Sequence, residues 1–254
     1  MTSLTMTSTT AMRQRRASPS RVASKIRKLL KDGGSTEHAE GVQWFFKEEI
    51  KSRGWYTAAL RRAAVQTRRQ LQEEFGLAFV AQVADKLFRG RVLEEKIFAV
   101  FLLEKLTDQL GEAEFQMFES WLDRISSWAD HDGLVHYLIA PMVFAAPKRI
   151  ARVFKWSGSP DRWHRRAACV ALIHGTRQDK FFPKIKQLSN SLLHDGDDMV
   201  QKGLGWLLRE TAKANPVSTI PYLMKIRATA PRLVLRTACE TLHPGDRARI
   251  LARD

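Results

Sequence analysis

Cysteine is nearly absent from this chain. Its two cysteines, Cys169 and Cys239, stand far apart and match no metal-binding or redox spacing. They read as buried thiols of a reducing compartment. Proline (9) and glycine (14) are too few in 254 residues for a collagen or a low-complexity chain. No apolar run has the length of a membrane span or of a signal peptide core. No GxGxxG or Walker pattern occurs, Gly33-Gly34 is no phosphate loop, and no Ser/His/Asp grouping has the spacing of an activated nucleophile. Asp130, His131 and His136 invite a metal reading. The two histidines are five residues apart and fall on different helix faces, so neither a metal site nor a cofactor is expected.

Negative charge is also scarce. Against 42 Lys and Arg stand 27 Asp and Glu, a net charge of +15, which points to a polyanionic partner. Residues 1–31 carry eight bases and no acid. Residues 1–20 are Thr- and Ser-rich and read as a disordered basic arm ahead of a single domain over 21–254. An organelle transit peptide has the same composition, and a start placed upstream of Met12 would leave the same signature. Further on the signs segregate: residues 94–132 hold ten acids against three bases, and 145–188 hold eleven bases against two acids. The second block has the composition of a phosphate footprint.

What is present throughout is apolar spacing of helical period, with no alternating strand pattern. Val22, Ile26, Leu29 and Leu30 form one stripe, stopped by Gly33-Gly34; Leu93, Ile97, Val100, Phe101 and Leu103 form another. Ser159-Pro160-Asp161 reads as a helix start, with Ser159 as cap and Pro160 at the first helical position. The spacing predicts about thirteen helices and no sheet.

A period runs through them. Leu60-Arg61-Arg62-Ala63-Ala64-Val65 recurs loosely as His164-Arg165-Arg166-Ala167-Ala168-Cys169 and as Val234-Leu235-Arg236-Thr237-Ala238-Cys239. In the same phase fall Lys96, Asp132 and Lys202, so that positions 62, 96, 132, 166, 202 and 236 are spaced by 34 or 36. One helix pair per step predicts an all-α, HEAT-like repeat solenoid of about six helix pairs. Equivalent positions line up in such an array. The row Arg62, Lys96, Asp132, Arg166, Lys202, Arg236 predicts a concave basic face for a duplex backbone, where each neutralised phosphate releases counterions. Asp132 is the odd member. Trp128 precedes it by one helical turn, Trp163 lies three residues before Arg166, and Trp206 follows Lys202 by one turn. Trp128, Asp132, Arg166 and Trp206 are expected on one face.

Trp128-x-x-x-Asp132, Trp163-His164-Arg165-Arg166-Ala167-Ala168 and Lys202-Gly203-Leu204-Gly205-Trp206-Leu207-Leu208-Arg209-Glu210 resemble the AlkD-type DNA alkylation repair family. Lys213 and Asn215-Pro216 extend the third motif, and Trp44-Phe45-Phe46-Lys47 with Gly54 and Arg61 is similar to the family's opening. The resemblance spans roughly residues 36–242. The chain departs from it at His131, where members carry a hydrophobic residue, and at Gly133. The resemblance implies a HEAT-like-repeat glycosylase that removes cationic N3- or N7-alkylated purines from duplex DNA without flipping the base into a pocket. It assigns Asp132 as the catalytic carboxylate, Trp128 and Trp206 as aromatics embracing the lesion, and Arg166 as a phosphate contact. Arg165 joins Arg62, Lys96, Lys202 and Arg236 in the expected DNA-binding set.

The chemistry agrees with one carboxylate and no cofactor. An alkylated purine already carries positive charge and leaves as a neutral base, so it needs no general acid; ordinary glycoside cleavage uses two carboxyl groups. A monomer acting on double-stranded DNA in the bacterial cytoplasm is the expectation. The rival reading is a non-enzymatic solenoid that recognises bent or branched DNA by shape; a scaffold for acidic proteins finds no support in these motifs.

Overall fold

A computed structural model describes residues 18–178 and 181–252. Most of the expected basic arm, residues 1–17, lies outside the described residues. Among those described there is no strand, only an isolated bridge between Lys51 and Val92. The chain divides into two compact units between Leu134 and Val135.

The first unit opens with α1 (Pro19–Asp32), capped by Ser18, whose hydroxyl accepts from Arg21 N at 3.3 Å. Proline at the first helical position needs no N–H there, so Ser18-Pro19 starts a helix inside the span expected to be arm. Gly33 ends α1 by donating to Leu29 O. There follow α2 (Thr36–Gln43), α3 (Thr57–Phe75), α4 (Leu77–Phe88), α5 (Leu93–Leu103), α6 (Glu112–Leu122) and α7 (Trp128–Leu134). α4 packs on α1 and α5, and α5 lies between α3 and α7.

α5 is not the one-sided stripe that its apolar spacing suggests. It is buried all round, and its charged residues Glu94, Glu95 and Lys96 are buried with it. Each has a partner, as buried charge requires. Glu94 accepts from Ser52 Oγ (2.7 Å), Arg53 N (2.8 Å) and Gly54 N (2.9 Å), fixing the loop before α3. Glu95 meets Arg27 of α1 at 2.9 Å. Part of the acid-rich stretch 94–132 is therefore internal bracing. Gly54 is indispensable to the loop: its φ is +72°, and a Cβ there would sit 1.9 Å from Ser35 O. Trp121 is core, stacked on Phe88 at 4.2 Å with its Nε1 donating to Asp85.

The second unit begins with a π turn (Val135–Ile139), then α8 (Ala140–Ala145), α9 (Ile150–Trp156), α10 (Arg162–Val170), α11 (Phe182–Leu192), α12 (Asp198–Ala214), α13 (Pro216–Ile226), α14 (Arg232–Ala238) and α15 (Pro244–Leu251). α12 is its centre, packed against α10, α11, α13 and α14. The start of α10 differs from the expected one. Asp161 is the cap, accepting from Trp163 N at 2.6 Å, while the Ser159 hydroxyl, two residues earlier, accepts from Asp161 N. A carboxylate beside the positive helix end displaces the weaker hydroxyl. Cys169 and Cys239 are buried, and burial pushes their thiols up to about 12 and about 11.

The helical period is visible in the packing. Arg62, Lys96 and Asp132 fall on α3, α5 and α7, and Arg166, Lys202 and Arg236 on α10, α12 and α14. Within each unit these alternate helices lie side by side, with one further helical segment after each. Among the described residues no helix is long and apolar enough to cross a membrane.

Candidate nucleic-acid interface

In the first unit the candidate residues are carried by α7, whose start is held from several sides. Ser127 N donates to Asp130 Oδ1 at 2.7 Å, so the acid three residues into the helix satisfies the cap residue's backbone. Ser127 Oγ lies at the same distance, and Ser126 N donates to the other carboxylate oxygen at 3.0 Å. Lys96 of α5 closes the arrangement from below, 2.6 Å from Asp130. Asp130 is thus the anchor of α7.

Pinned in this way, α7 presents Trp128 and Asp132 one turn apart on a common face. Trp128 is 36% exposed; its Nε1 donates to Phe45 O at 3.3 Å and its ring stacks on Phe46 at 5.0 Å and 13°. Trp44 and Phe45, next to that stack, are themselves exposed. The Asp132 side chain is 22% exposed, and its Oδ1 lies 2.7 Å from Nδ1 of His131, which is fully buried. A partly exposed carboxylate beside an exposed aromatic plate can face a cationic group in solution.

In the second unit Trp206 of α12 is partly exposed. It lines a cavity of about 440 Å³ with His136, Ile173, His174, Thr176, Arg177 and Glu210. His136 lies 5.5 Å from the Trp206 ring and 5.0 Å from His174. Burial, and then the charge of His136, hold His174 below the ordinary histidine value. Burial pushes the Glu210 carboxyl up, but Lys213 and Arg209 outweigh it and hold the group below its usual range.

The basic row divides by exposure. Arg62 and Arg236 are exposed, and Lys202 is half exposed with Asp198 at 3.3 Å. Lys96 is not a surface cation, contrary to expectation. It is 2% exposed and spends its ammonium on Asp130, Ser126 Oγ (3.0 Å) and Arg124 O. The Arg165 guanidinium is likewise taken up within the unit. It pairs with Asp195 at 2.6 and 3.3 Å and donates to Ser159 O and Pro160 O. The Asp195 hydrogen bond outweighs the opposing effect of burial and raises its pKa further. Arg166 is buried, with Nη1 donating to Met199 O at 2.7 Å across to α12. Gly203 makes room for it, since a Cβ there would stand 3.0 Å from Arg166 Cγ. Trp163 is core, under the Arg162 guanidinium.

Three residues of these sites escaped sequence reasoning. His131 and His136 stood out as possible ligands, and His131 also as a departure from the resembled motif, whereas His174 carried no motif. Phe45 and Phe46 had a signal, since three consecutive aromatics after a short helix cannot all enter a core.

A family model described as DNA alkylation repair enzyme matches residues 26–242. Among solved structures, one titled a predicted DNA alkylation repair enzyme from Enterococcus faecalis superposes with a TM-score of 0.73 at 17% identity, over 83% of this chain and 97% of that one. AlkD2 from Streptococcus mutans superposes with a TM-score of 0.55 at 18% identity, over 73% and 97%. No curated protein matches this chain.

Proposed function

Because the chain belongs to the DNA alkylation repair enzyme family, we propose that it hydrolyses the N-glycosidic bond of cationic N3- or N7-alkylated purines in duplex DNA. The observation that carries this reading is the pairing, on one face of α7, of an accessible carboxylate, Asp132, with an accessible aromatic plate, Trp128.

The C1′–N bond breaks with its electron pair passing to the base, whose positive charge is thereby neutralised. The positive charge moves to the sugar as an oxocarbenium ion. Asp132 faces that charge, and water adds at C1′ and loses a proton, leaving an abasic site. Opposite charges about 4 Å apart at an effective dielectric near 20 attract by roughly 4 kcal/mol. Realised only in the transition state, that attraction is worth on the order of a thousandfold in rate. The Trp128 face adds cation–π attraction of about 0.5–2 kcal/mol toward the charged lesion. In the second unit Trp206 offers another aromatic face. Arg62, Lys202 and Arg236 meet phosphates, and Arg166 adds positive charge from just beneath the surface.

The test is release of free base from a duplex containing N7-methylguanine, with wild type and Asp132→Asn. Wild type releases base, and the variant is slower by two or more orders of magnitude while its duplex affinity holds or rises. A wild type that binds duplex but releases nothing would identify a shape reader instead. Release by the variant within about threefold of wild type would remove Asp132 as the catalytic group.

A further inference from the structure

The geometry points to His131 as a positioning residue of the Asp132 carboxylate, an inference that rests on the proposed role of Asp132. The imidazole is fully buried, whereas Asp132 is not, and Nδ1 stands 2.7 Å from Oδ1. An ionised carboxylate only accepts hydrogen bonds, so Nδ1 carries the proton and donates whenever Asp132 is charged.

The contact is not a by-product of helix geometry. Consecutive side chains on a helix diverge by about 100°, so Asp132 must turn toward its neighbour to make it. The ring itself has little freedom. α7 lies so close to α5 that a Cβ on Gly133 would stand 3.2 Å from Ile97 Cδ1, and its first turn is fastened through Asp130 and Lys96. A hydrogen bond from an immobile donor restricts the rotamers open to a short carboxylate at a partly open surface and favours one orientation before substrate arrives. The roles invert the familiar arrangement in which a carboxylate orients a histidine: here the histidine is the fixed part and the carboxylate does the chemistry.

Two substitutions separate the hydrogen bond from the volume of the ring. His131→Val removes both, and His131→Asn keeps an amide N–H near the place of Nδ1 while losing most of the ring. Single-turnover release of N7-methylguanine from a duplex should fall about tenfold or more in His131→Val. His131→Asn should recover to within about threefold of wild type. Both should bind duplex within about twofold of wild type and melt at similarly lowered temperatures, so that the rate follows the hydrogen bond and the melting point follows volume. Imidazole ¹⁵N resonances read the pair without any activity. Wild type should show Nδ1 protonated near neutral pH, and Asp132→Ala should lose that preference. The inference is overturned by His131→Val releasing base at the wild-type rate, by His131→Asn being as slow as His131→Val, or by an Nε2–H tautomer in wild type. Wild-type rates in Asp132→Asn would instead overturn the catalytic reading of Asp132, leaving the ¹⁵N result to decide whether the bond exists.

Discussion

The ammonium of Lys96 and the carboxylate of Asp130 meet at 2.6 Å with 2% and 0% of their side chains exposed, joining the middle of the first unit to the helix that bears Asp132. The pair links α5 to the start of α7 and occupies a place in the helical period where a surface cation was expected.

Removing one partner of such a pair strands the other charge. Lys96→Met should cost about 3–5 kcal/mol and lower Tm by roughly 10 °C, because Asp130 loses its counter-charge in the interior. Adding Asp130→Asn should cost less than the sum of the two single changes. Melting curves of the three variants measure this. A Lys96→Met protein as stable as wild type would show that the ammonium is not buried in solution.

The exposed members of the row should behave differently. Arg62→Glu, Lys202→Glu and Arg236→Glu should each weaken binding to damaged and undamaged duplex alike, since phosphate contacts carry no base information. For each lost contact the slope of log K against log[salt] should flatten by about 0.9. Arg165→Ala should leave the slope unchanged and lower Tm, because its guanidinium holds Asp195 and two carbonyls together. Salt titrations that show no change in any of the three reversed variants would take the row off the DNA face.

Gly54→Ala should be poorly tolerated. The residue combines φ of +72° with a neighbour, Ser35 O, 1.9 Å from the place of a new Cβ. Strain and displacement together should cost at least about 2 kcal/mol, seen as a Tm lower by some 5 °C. Because the same loop donates to buried Glu94, near-wild-type melting would mean that it does not hold this conformation in solution.

His174 gives a pH dependence with a definite sign. Its folded-state pKa lies below its ordinary value, through burial first and the neighbouring His136 second, with Arg177 acting in the same direction and a hydrogen bond to the His136 backbone opposing them. Between that lowered value and about 6.5 the unfolded chain binds more protons than the folded one, so stability rises with pH across this window and falls on acidification. His174→Gln should flatten Tm against pH below about 6.5. A dependence as steep as that of wild type would assign the acid sensitivity elsewhere.

How far each feature could be read in advance follows from how local its cause is. Helix class, the stop at Gly33 and the repeating phase of residues 62 to 236 were legible, because spacing of apolar groups and backbone preference act within a turn or two. Trp128 and Asp132 were legible as a pair for the same reason: four residues along one helix place two side chains together whatever surrounds them. The expected cap at Ser159 failed on a competition two residues wide, decided by which oxygen reached the helix end.

Only the tertiary structure decided what each charge is for. Lys96, Arg166 and Arg236 occupy equivalent steps of one period, yet the first is locked onto Asp130, the second braces α10 against α12 and the third is exposed. Nothing local distinguishes them, because burial is set by helices that pack from far along the chain, and a buried cation persists only where a distant carboxylate or carbonyl meets it. His131 shows the same division. Its sequence position places it next to Asp132, but that its ring is buried and its Nδ1 directed at the carboxylate comes from the packing of α7, which no spacing rule contains.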